Sequence, residues 1–209
     1  GVSWVSGSNW SLGYPPDSSV DWTLIEGPNT VRLFDGDDGV AQRVRLANFT
    51  SPVELIVEGG AALQASETFF VGNGSGQAAT FTVKSGSTTQ NAIVYIGNLG
   101  TGTWIHEGGT SSFDDTVALG NNATGAGKLE LISGSMTGMT EMRVGNNGAG
   151  EVLMTGGTLT VAGILDIARE AGSSGHVQLD GGVIEADQLR MDNSGDAVSA
   201  TIDITGDGT

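Results

Sequence analysis

Apolar side chains recur along the chain in pairs spaced i, i+2, and glycines follow these pairs at nearly constant steps. The i, i+2 spacing puts both side chains on one face of a β-strand. A second anchor, an apolar residue followed by glycine, keeps the same period, as at Val71-Gly72 and Val144-Gly145. A repeat of about two dozen residues indicates a solenoid in which each repeat stacks on the previous one. The first set of glycines comprises Gly60, Gly86, Gly109, Gly134, Gly157 and Gly182.

The pattern predicts short parallel strands, two or three in each coil, joined by turns rich in Asn and Gly. The predicted fold class is all-β, a single-stranded parallel β-helix (β-solenoid) of about seven to eight coils of roughly 24 residues each. We expect a right-handed coil, because parallel crossovers are nearly always right-handed. Asparagines that recur at one corner are expected to form a hydrogen-bonded ladder along the axis: Asn73, Asn98, Asn121, Asn122, Asn146, Asn147 and Asn193.

The repeat is unbroken, so the whole chain, 1–209, is predicted to form one domain. Regular coils occupy 55–209, with the last one truncated, and 23–54 fit an irregular first coil with an insertion at 35–39. Residues 1–22 are interpreted as an aromatic cap, because a solenoid needs its first coil covered; an aromatic sugar-binding patch is the alternative. The aromatic residues of this segment are Trp4, Trp10, Tyr14 and Trp22.

Charge narrows the range of partners. The chain carries 8 Lys and Arg against 24 Asp and Glu, a formal net charge of −16. Polyanion-binding surfaces need clustered cations, so nucleic acid, anionic membranes and highly sulfated or uronic-acid polymers are poor candidates, whereas neutral partners stay open. The chain has no cysteine, which excludes disulfides and thiolate chemistry. No apolar run of about 18 residues predicts membrane insertion.

One outward column of the predicted strands has a composition that suits a polysaccharide. Phe70 and Tyr95 are neighbours in it, and large apolar side chains on an outer face gain nothing from the core. We expect Phe70 and Tyr95 to stack on sugar rings, and the charged members Arg143, Asp166 and Arg190 to bind hydroxyls. The alternative is that the two rings shield each other and the charges form an ordinary surface ladder. The full column is Arg45, Phe70, Tyr95, Ala118, Arg143, Asp166 and Arg190.

Trp104 and His106 are secondary candidates for the carbohydrate site. By register both point inward, which would make His106 a core histidine. A one-residue slip of the strand would turn both outward. The sequence favours the inward orientation and leaves the outward one open.

Metal binding and catalysis have weaker signals. Asp35, Asp37 and Asp38 form an acidic glycine-rich loop whose oxygens are compatible with calcium; no cofactor is otherwise required. Only two histidines, His106 and His176, could act as bases near neutral pH, and they lie about three coils apart. No outward column of the regular repeats puts two acids on neighbouring coils, as a retaining glycosidase requires; a pair of acids from different columns stays open.

The repeat motifs resemble those of large secreted bacterial solenoid proteins. The residues that carry this resemblance are Ser-Gly-Ser-Met-Thr at 133–137, Val-Gly-Asn-Asn-Gly at 144–148 and Gly-Gly-Thr-Leu-Thr at 156–160. The chain is most similar to β-helix carbohydrate-binding modules attached to gut-bacterial xylanases, and also resembles autotransporter-associated β-strand repeats. The resemblance implies a secreted module that is covalently linked to other domains of a larger protein.

These observations favour a non-catalytic carbohydrate-binding module for a neutral plant cell-wall polysaccharide, with xylan as the first polymer to test. The alternative is a structural or adhesive stalk segment of a larger secreted surface protein. A polysaccharide lyase or glycoside hydrolase is the third hypothesis.

Overall fold

The computed structural model describes residues 2–4, 6, 15–16, 22–34, 36–192 and 199–206. The described residues form strands and turns only, and the parallel strands stack as a β-solenoid of about seven turns. The predicted fold class is confirmed. The handedness of the coil stays a prediction. Among the described residues there is no helix of the length and hydropathy needed to cross a membrane.

Eighteen strands are assigned within the described residues, and all their pairings are parallel. Their bounds are β1 Val2–Ser3, β2 Trp22–Ile25, β3 Asn29–Leu33, β4 Asp38–Leu46, β5 Val53–Val57, β6 Ala62–Val71, β7 Ala78–Val83, β8 Thr88–Ile96, β9 Thr101–His106, β10 Thr110–Phe113, β11 Thr116–Leu119, β12 Ala126–Leu131, β13 Ser135–Val144, β14 Ala149–Met154, β15 Thr158–Ile167, β16 Ser174–Leu179, β17 Val183–Met191 and β18 Ser199–Ile204.

The strands form two sheets that face each other across the core. The first sheet has the order β1-β3-β5-β7-β9-β12-β14-β16-β18. The second has the order β17-β15-β13-β10-β8-β6-β4-β2, with β11 between β8 and β13. Each coil therefore contributes one strand to each sheet, except that β10 and β11 both come from one coil, and inward side chains from the two sheets fill the interior.

The strands of the second sheet are longer than the sequence predicts. Two predicted short strands merge there into one long strand, which is interrupted by register shifts such as that between Ala65 and Thr68. A β-bulge bends the strand locally without ending it. Only β10 and β11 are separate. The predicted insertion at 35–39 is also wrong in part, because Asp38 and Gly39 begin β4 and pair in register with β6.

The core is continuous and is thickest around a cluster of aromatic rings. Phe81 lies 4.6 Å from Trp104 and 4.7 Å from Phe69 between ring centroids, in edge-to-face arrangements. Such aromatic pairs contribute about 0.5–1.5 kcal/mol beyond the burial of their area. Phe113, at 5.7 Å from Trp104, extends the cluster to the next coil.

The asparagine ladder predicted at the corner is confirmed from Asn73 to Asn146, whereas Asn193 lies outside the described residues. Asn73 donates to Asn48, Asn98 donates to Asn73 at 2.9 Å, and Asn121 donates to Asn98 at 2.8 Å. Asn146 continues it with a 3.0 Å bond to the Asn121 side chain. The amides of Asn73, Asn98 and Asn121 each donate to one neighbour and accept from the next, so the ladder ties consecutive coils together.

The two ends of the described solenoid differ. At the start, Trp4 is fully buried in the core, as the cap interpretation expects, whereas Trp10 and Tyr14 lie outside the described residues. Near the end, inward positions of the last described coil are open to solvent: Leu189 is 54% exposed and Ile204 is 68% exposed.

Candidate functional site

The outer face of the second sheet carries the predicted binding column, and its register is confirmed. Phe70 pairs with Tyr95, Ala118 pairs with Tyr95 and Arg143, and Asp166 pairs with Arg143 and Arg190. We call the outward column from Arg45 to Arg190, with Trp22 and Arg43 beside its first member, the outer strip. Five of the chain's six arginines lie on or next to it: Arg43, Arg45, Arg143, Arg169 and Arg190.

Phe70 and Tyr95 stack on each other. Their ring centroids are 5.2 Å apart and their planes differ by 25°. Two rings lying side by side and flat on the sheet could not approach so closely, so the rings stand upright with their faces toward neighbouring coils. A ligand therefore meets ring edges and the end faces of the stack. The two rings therefore shield each other on one face each, as the alternative interpretation expects, but not on their other faces or edges.

The two end faces of this stack have different neighbours. The guanidinium carbon of Arg45 lies 5.6 Å from the centroid of the Phe70 ring. On the other side, the column next to Tyr95 contains only the methyl group of Ala118. Ala118 is itself 0% exposed although it faces outward by register, so surrounding side chains close over it. Phe70 and Tyr95 are both half-buried.

Trp22 is a candidate site residue that the sequence analysis does not identify, because it places Trp22 in the cap. In the structure Trp22 begins β2, pairs with Arg43 on the outer strip and is 59% exposed. The guanidinium carbons of Arg43 and Arg45 lie 4.6 and 5.1 Å from its ring centroid, within cation–π distance. The alternation of Trp22-Thr-Leu-Ile25, with Thr23 and Ile25 buried, is a signal that could have identified it.

Polar contacts fix the position of this indole. Trp22 Nε1 donates to Gln42 at 3.0 Å, and Gln42 Nε2 donates to Glu67 at 2.7 Å. Arg43 Nε donates to the other oxygen of Glu67, also at 2.7 Å. The indole and the guanidinium that covers it are therefore held by one carboxylate, which orients the exposed surface of Trp22 in advance.

The far end of the outer strip holds a group of charges, Glu141, Arg143, Asp166, Arg169 and Arg190, which we call the arginine cluster. Arg143 Nη2 lies 2.5 Å from one Glu141 oxygen, and Arg169 Nη1 lies 3.2 Å from the other. Partial burial alone would raise the pKa of Glu141, but the hydrogen bond and charge of Arg143, with the charge of Arg169, hold it below its ordinary value.

Asp166 is the buried member of the arginine cluster. It is 0% exposed, and neither carboxylate oxygen has a hydrogen-bond partner among the described residues. Burial raises the pKa of its carboxyl, against the opposing charges of Arg169 and Arg190. Two carboxyls with pKa values shifted in opposite directions are typical of acid–base catalysis. Here, however, the Asp166 oxygens are covered and those of Glu141 are bound to guanidinium groups.

Trp104 and His106 both lie in the core, each 0% exposed, so the outward alternative is wrong. The pairing of β9 with β7 and β12 is in register without a slip. His106 Nδ1 is 2.9 Å from the carbonyl oxygen of Ser133, which can only accept, so Nδ1 carries the proton. Nε2 then accepts from Ser111 at 3.0 Å, and Thr89 donates to Ser111 at 2.8 Å. Trp104 and His106 are therefore not available to a carbohydrate site on the surface.

The acidic loop does not assemble a calcium site within the described residues, which contain no group of three potential metal ligands. Asp37 accepts from the backbone N–H of Phe34 at 3.1 Å, and Asp38 begins β4. Asp35, the third predicted ligand, lies outside the described residues. Calcium binding stays a prediction.

A shallow groove lies on the same face of the second sheet, on the other side of the bulges. Its volume is about 500 Å3, and the outward amides of Gln64 and Gln90 and the hydroxyl of Ser112 line it, with Asp38 at one end. Amide and hydroxyl groups are suited to sugar hydroxyls. The sequence reasoning missed this groove, because nothing in the strand pattern indicates where a bulge makes the outer face concave.

Comparison with known proteins gave no match: no protein-family model matches the chain, and neither does any curated protein or solved structure. The parallel β-solenoid is shown by the structure itself. The similarity to carbohydrate-binding modules and to autotransporter-associated repeats stays a prediction.

Proposed function

We propose that the chain is a non-catalytic carbohydrate-binding module of a secreted bacterial protein and that it holds a neutral plant cell-wall polysaccharide on the outer strip. The observation that carries the proposal is the run of Trp22, Arg45, Phe70 and Tyr95, in which each ring contacts a cation or another ring. The apolar faces of sugars pack on aromatic groups, and guanidinium and carboxylate groups hydrogen-bond to hydroxyls. Xylan is the first polymer to test.

Trp22 carries the largest part of the proposed binding surface. It is the most exposed aromatic residue of the outer strip, and its contacts with Arg43 and Gln42 are already made without a ligand. A side chain that is held in place loses little conformational entropy when it binds. Stacking of one sugar on such a ring should contribute about 1–3 kcal/mol, by analogy with stacking of bases on aromatics.

Affinity gel electrophoresis against xylan, mixed-linkage glucan, mannan and pectin tests the proposal. Retardation by a neutral polymer should be lost in Trp22→Ala and reduced in Tyr95→Ala. The matched control is Phe49→Ala, which removes a ring that is 73% exposed but lies off the outer strip. Thermal melting of each variant confirms that the fold is retained. Mobility that no neutral polymer changes, or equal loss in Phe49→Ala, would refute the assignment.

The second candidate is a structural or adhesive stalk segment. It is the alternative that the repeat sequence leaves open, and the regular parallel stacking of the described coils is compatible with it. A folded chain that no polysaccharide retards would favour this function. Release of reducing ends or unsaturated products from a polymer would instead favour the enzyme hypothesis.

A further inference from the structure

Two arginines of the outer strip lack the ion pairs that the other cations of the chain make. Of the 8 Lys and Arg residues, six lie within 4.0 Å of a carboxylate: Arg32, Arg43, Lys84, Lys128, Arg143 and Arg169. Arg45 and Arg190 make no such pair with any described residue, although acids outnumber bases three to one. Both belong to the same outward column. Arg45 is engaged with the rings of Trp22 and Phe70, so Arg190 is the cation left over.

The neighbours of Arg190 do not neutralise it by direct contact. Both oxygens of Glu141 are already bound to Arg143 and Arg169. Asp166 is adjacent in register, but no guanidinium nitrogen lies within 4.0 Å of its carboxylate in the part of the chain that the structure describes. The arginine cluster therefore contains three guanidinium groups and only two carboxylates. The carboxylate of Glu141 is paired with two of the arginines, and that of Asp166 is buried.

We propose that the arginine cluster is a subsite for a single carboxylate group carried by the bound glycan, such as a uronic acid side group on an otherwise neutral backbone, with Arg190 as its principal contact. This inference rests on the proposed function and specifies the ligand further. Guanidinium presents a planar pair of donors that matches a carboxylate in a bidentate geometry. Arg143, whose side chain is 23% exposed, lies on the other side of Asp166 from Arg190 in the same column, and Arg169, 27% exposed, shares Glu141 with Arg143.

The overall charge limits how densely such groups can occur. A net charge of −16 repels a polymer that carries a carboxylate on every sugar. A single carboxylate that binds at the arginine cluster is instead attracted by the nearby guanidinium groups, because they lie within a Debye length of about 10 Å. The two cations without ion pairs, Arg45 and Arg190, are six coils apart in one column, or about 29 Å at the usual strand spacing of about 4.8 Å. Sparse substitution fits this surface.

The test compares a xylan that bears uronic acid side groups with the same xylan after reduction of its carboxyls to alcohols. Binding is measured by isothermal titration calorimetry at low and physiological salt, and the quantity of interest is the affinity ratio of the two polymers. For the wild-type chain we expect a ratio of about ten, the value of one hydrogen-bonded charge contact, and a smaller ratio at higher salt. Arg190→Gln should bring the ratio to one. Arg32→Gln, on the first sheet, is the control and should keep it.

A second variant is expected to raise the affinity ratio, which is a change that misfolding cannot produce. Asp166→Asn has the same shape but removes the covered negative charge, so it should increase the affinity ratio. A ratio that is unchanged or smaller in Asp166→Asn would count against a carboxylate at this position. Equal binding of both polymers by the wild-type chain would overturn this inference and leave the proposed function standing. Binding of neither polymer would also overturn it, and the neutral polymers of the gel panel would then decide whether the proposed function falls too.

Discussion

Acid should destabilise the protein through His106, the buried histidine of the core. Burial lowers the pKa of this imidazole, although the hydrogen bond to the Ser133 carbonyl favours its charged form. Protonation of Nε2 would turn it into a donor toward Ser111, whose own hydroxyl proton would then lose Nε2 as its acceptor. The folded chain therefore resists the proton that the unfolded chain accepts.

The size of the effect follows from linkage. The pKa of the histidine is near 6.5 in the unfolded chain and lower in the folded chain. The stability that this group contributes is therefore fully present above pH 6.5, and it is lost as the pH falls through the folded pKa. If the folded imidazole stays neutral at pH 5.5, the loss between pH 7.5 and pH 5.5 is about 1.4 kcal/mol. A folded pKa nearer to 6.5 would make the loss smaller.

Urea denaturation followed by tryptophan fluorescence measures this loss as the difference in free energy of unfolding between the two pH values. His106→Gln removes the titration while its amide can still donate to Ser133 and accept from Ser111, so its loss should be smaller than that of the wild type by up to about 1.4 kcal/mol. His176→Gln removes the only other histidine and keeps the buried ring, so it must still lose stability in acid. Equal losses in the wild type and His106→Gln would refute the reasoning.

Two further predictions concern the contacts that hold the coils together. Asn98→Ala removes the side chain that donates to Asn73 and accepts from Asn121; it should lower the free energy of unfolding by about 1–3 kcal/mol in urea denaturation, and an unchanged midpoint would contradict a structural role for the ladder. In Gly127→Ala the added methyl group would overlap the carbonyl oxygen of Ile96. That variant should therefore be strongly destabilised or insoluble, and a wild-type melting temperature would show that the coils are packed less closely than described.

The fold was predictable because the repeat carries two independent signals. Alternation at pairs such as Leu129 and Leu131 assigns the inward face of each strand, and the glycines assign its end. Both register assignments that matter for the site, Phe70 beside Tyr95 and Arg143 beside Asp166, follow from that alternation and are confirmed. The bulges are not visible in the same way, because a shift of register leaves the apolar pattern on either side unchanged.

The sequence predicts which candidate site residues share an outward column, but not which side chains contact one another. Trp22 was misassigned because it follows an aromatic-rich segment and has no glycine anchor of its own. The electrostatic environment of Asp166 could not be predicted, because Arg169, whose charge acts on its carboxyl, comes from the turn after β15 and belongs to no strand column. The orientation of Trp104 and His106 could not be decided, since the hydroxyl partner of the histidine, Ser111, lies in the opposite sheet.

The geometry of the rings explains why the charged groups should decide specificity. In a parallel, in-register column, side chains of the same kind contact each other, as Phe70 and Tyr95 do, and each loses one face to its neighbour. The aromatic part of the outer strip then offers edges and end faces, which discriminate little between one neutral sugar and another. At one end of the outer strip Trp22 provides a large exposed ring, and at the other end Arg190 provides a cation that makes no ion pair with any described residue. If the proposed function holds, a glycan that contacts both must extend along the solenoid axis, so its binding should depend on its length and on the spacing of its substituents more than on the identity of any single sugar.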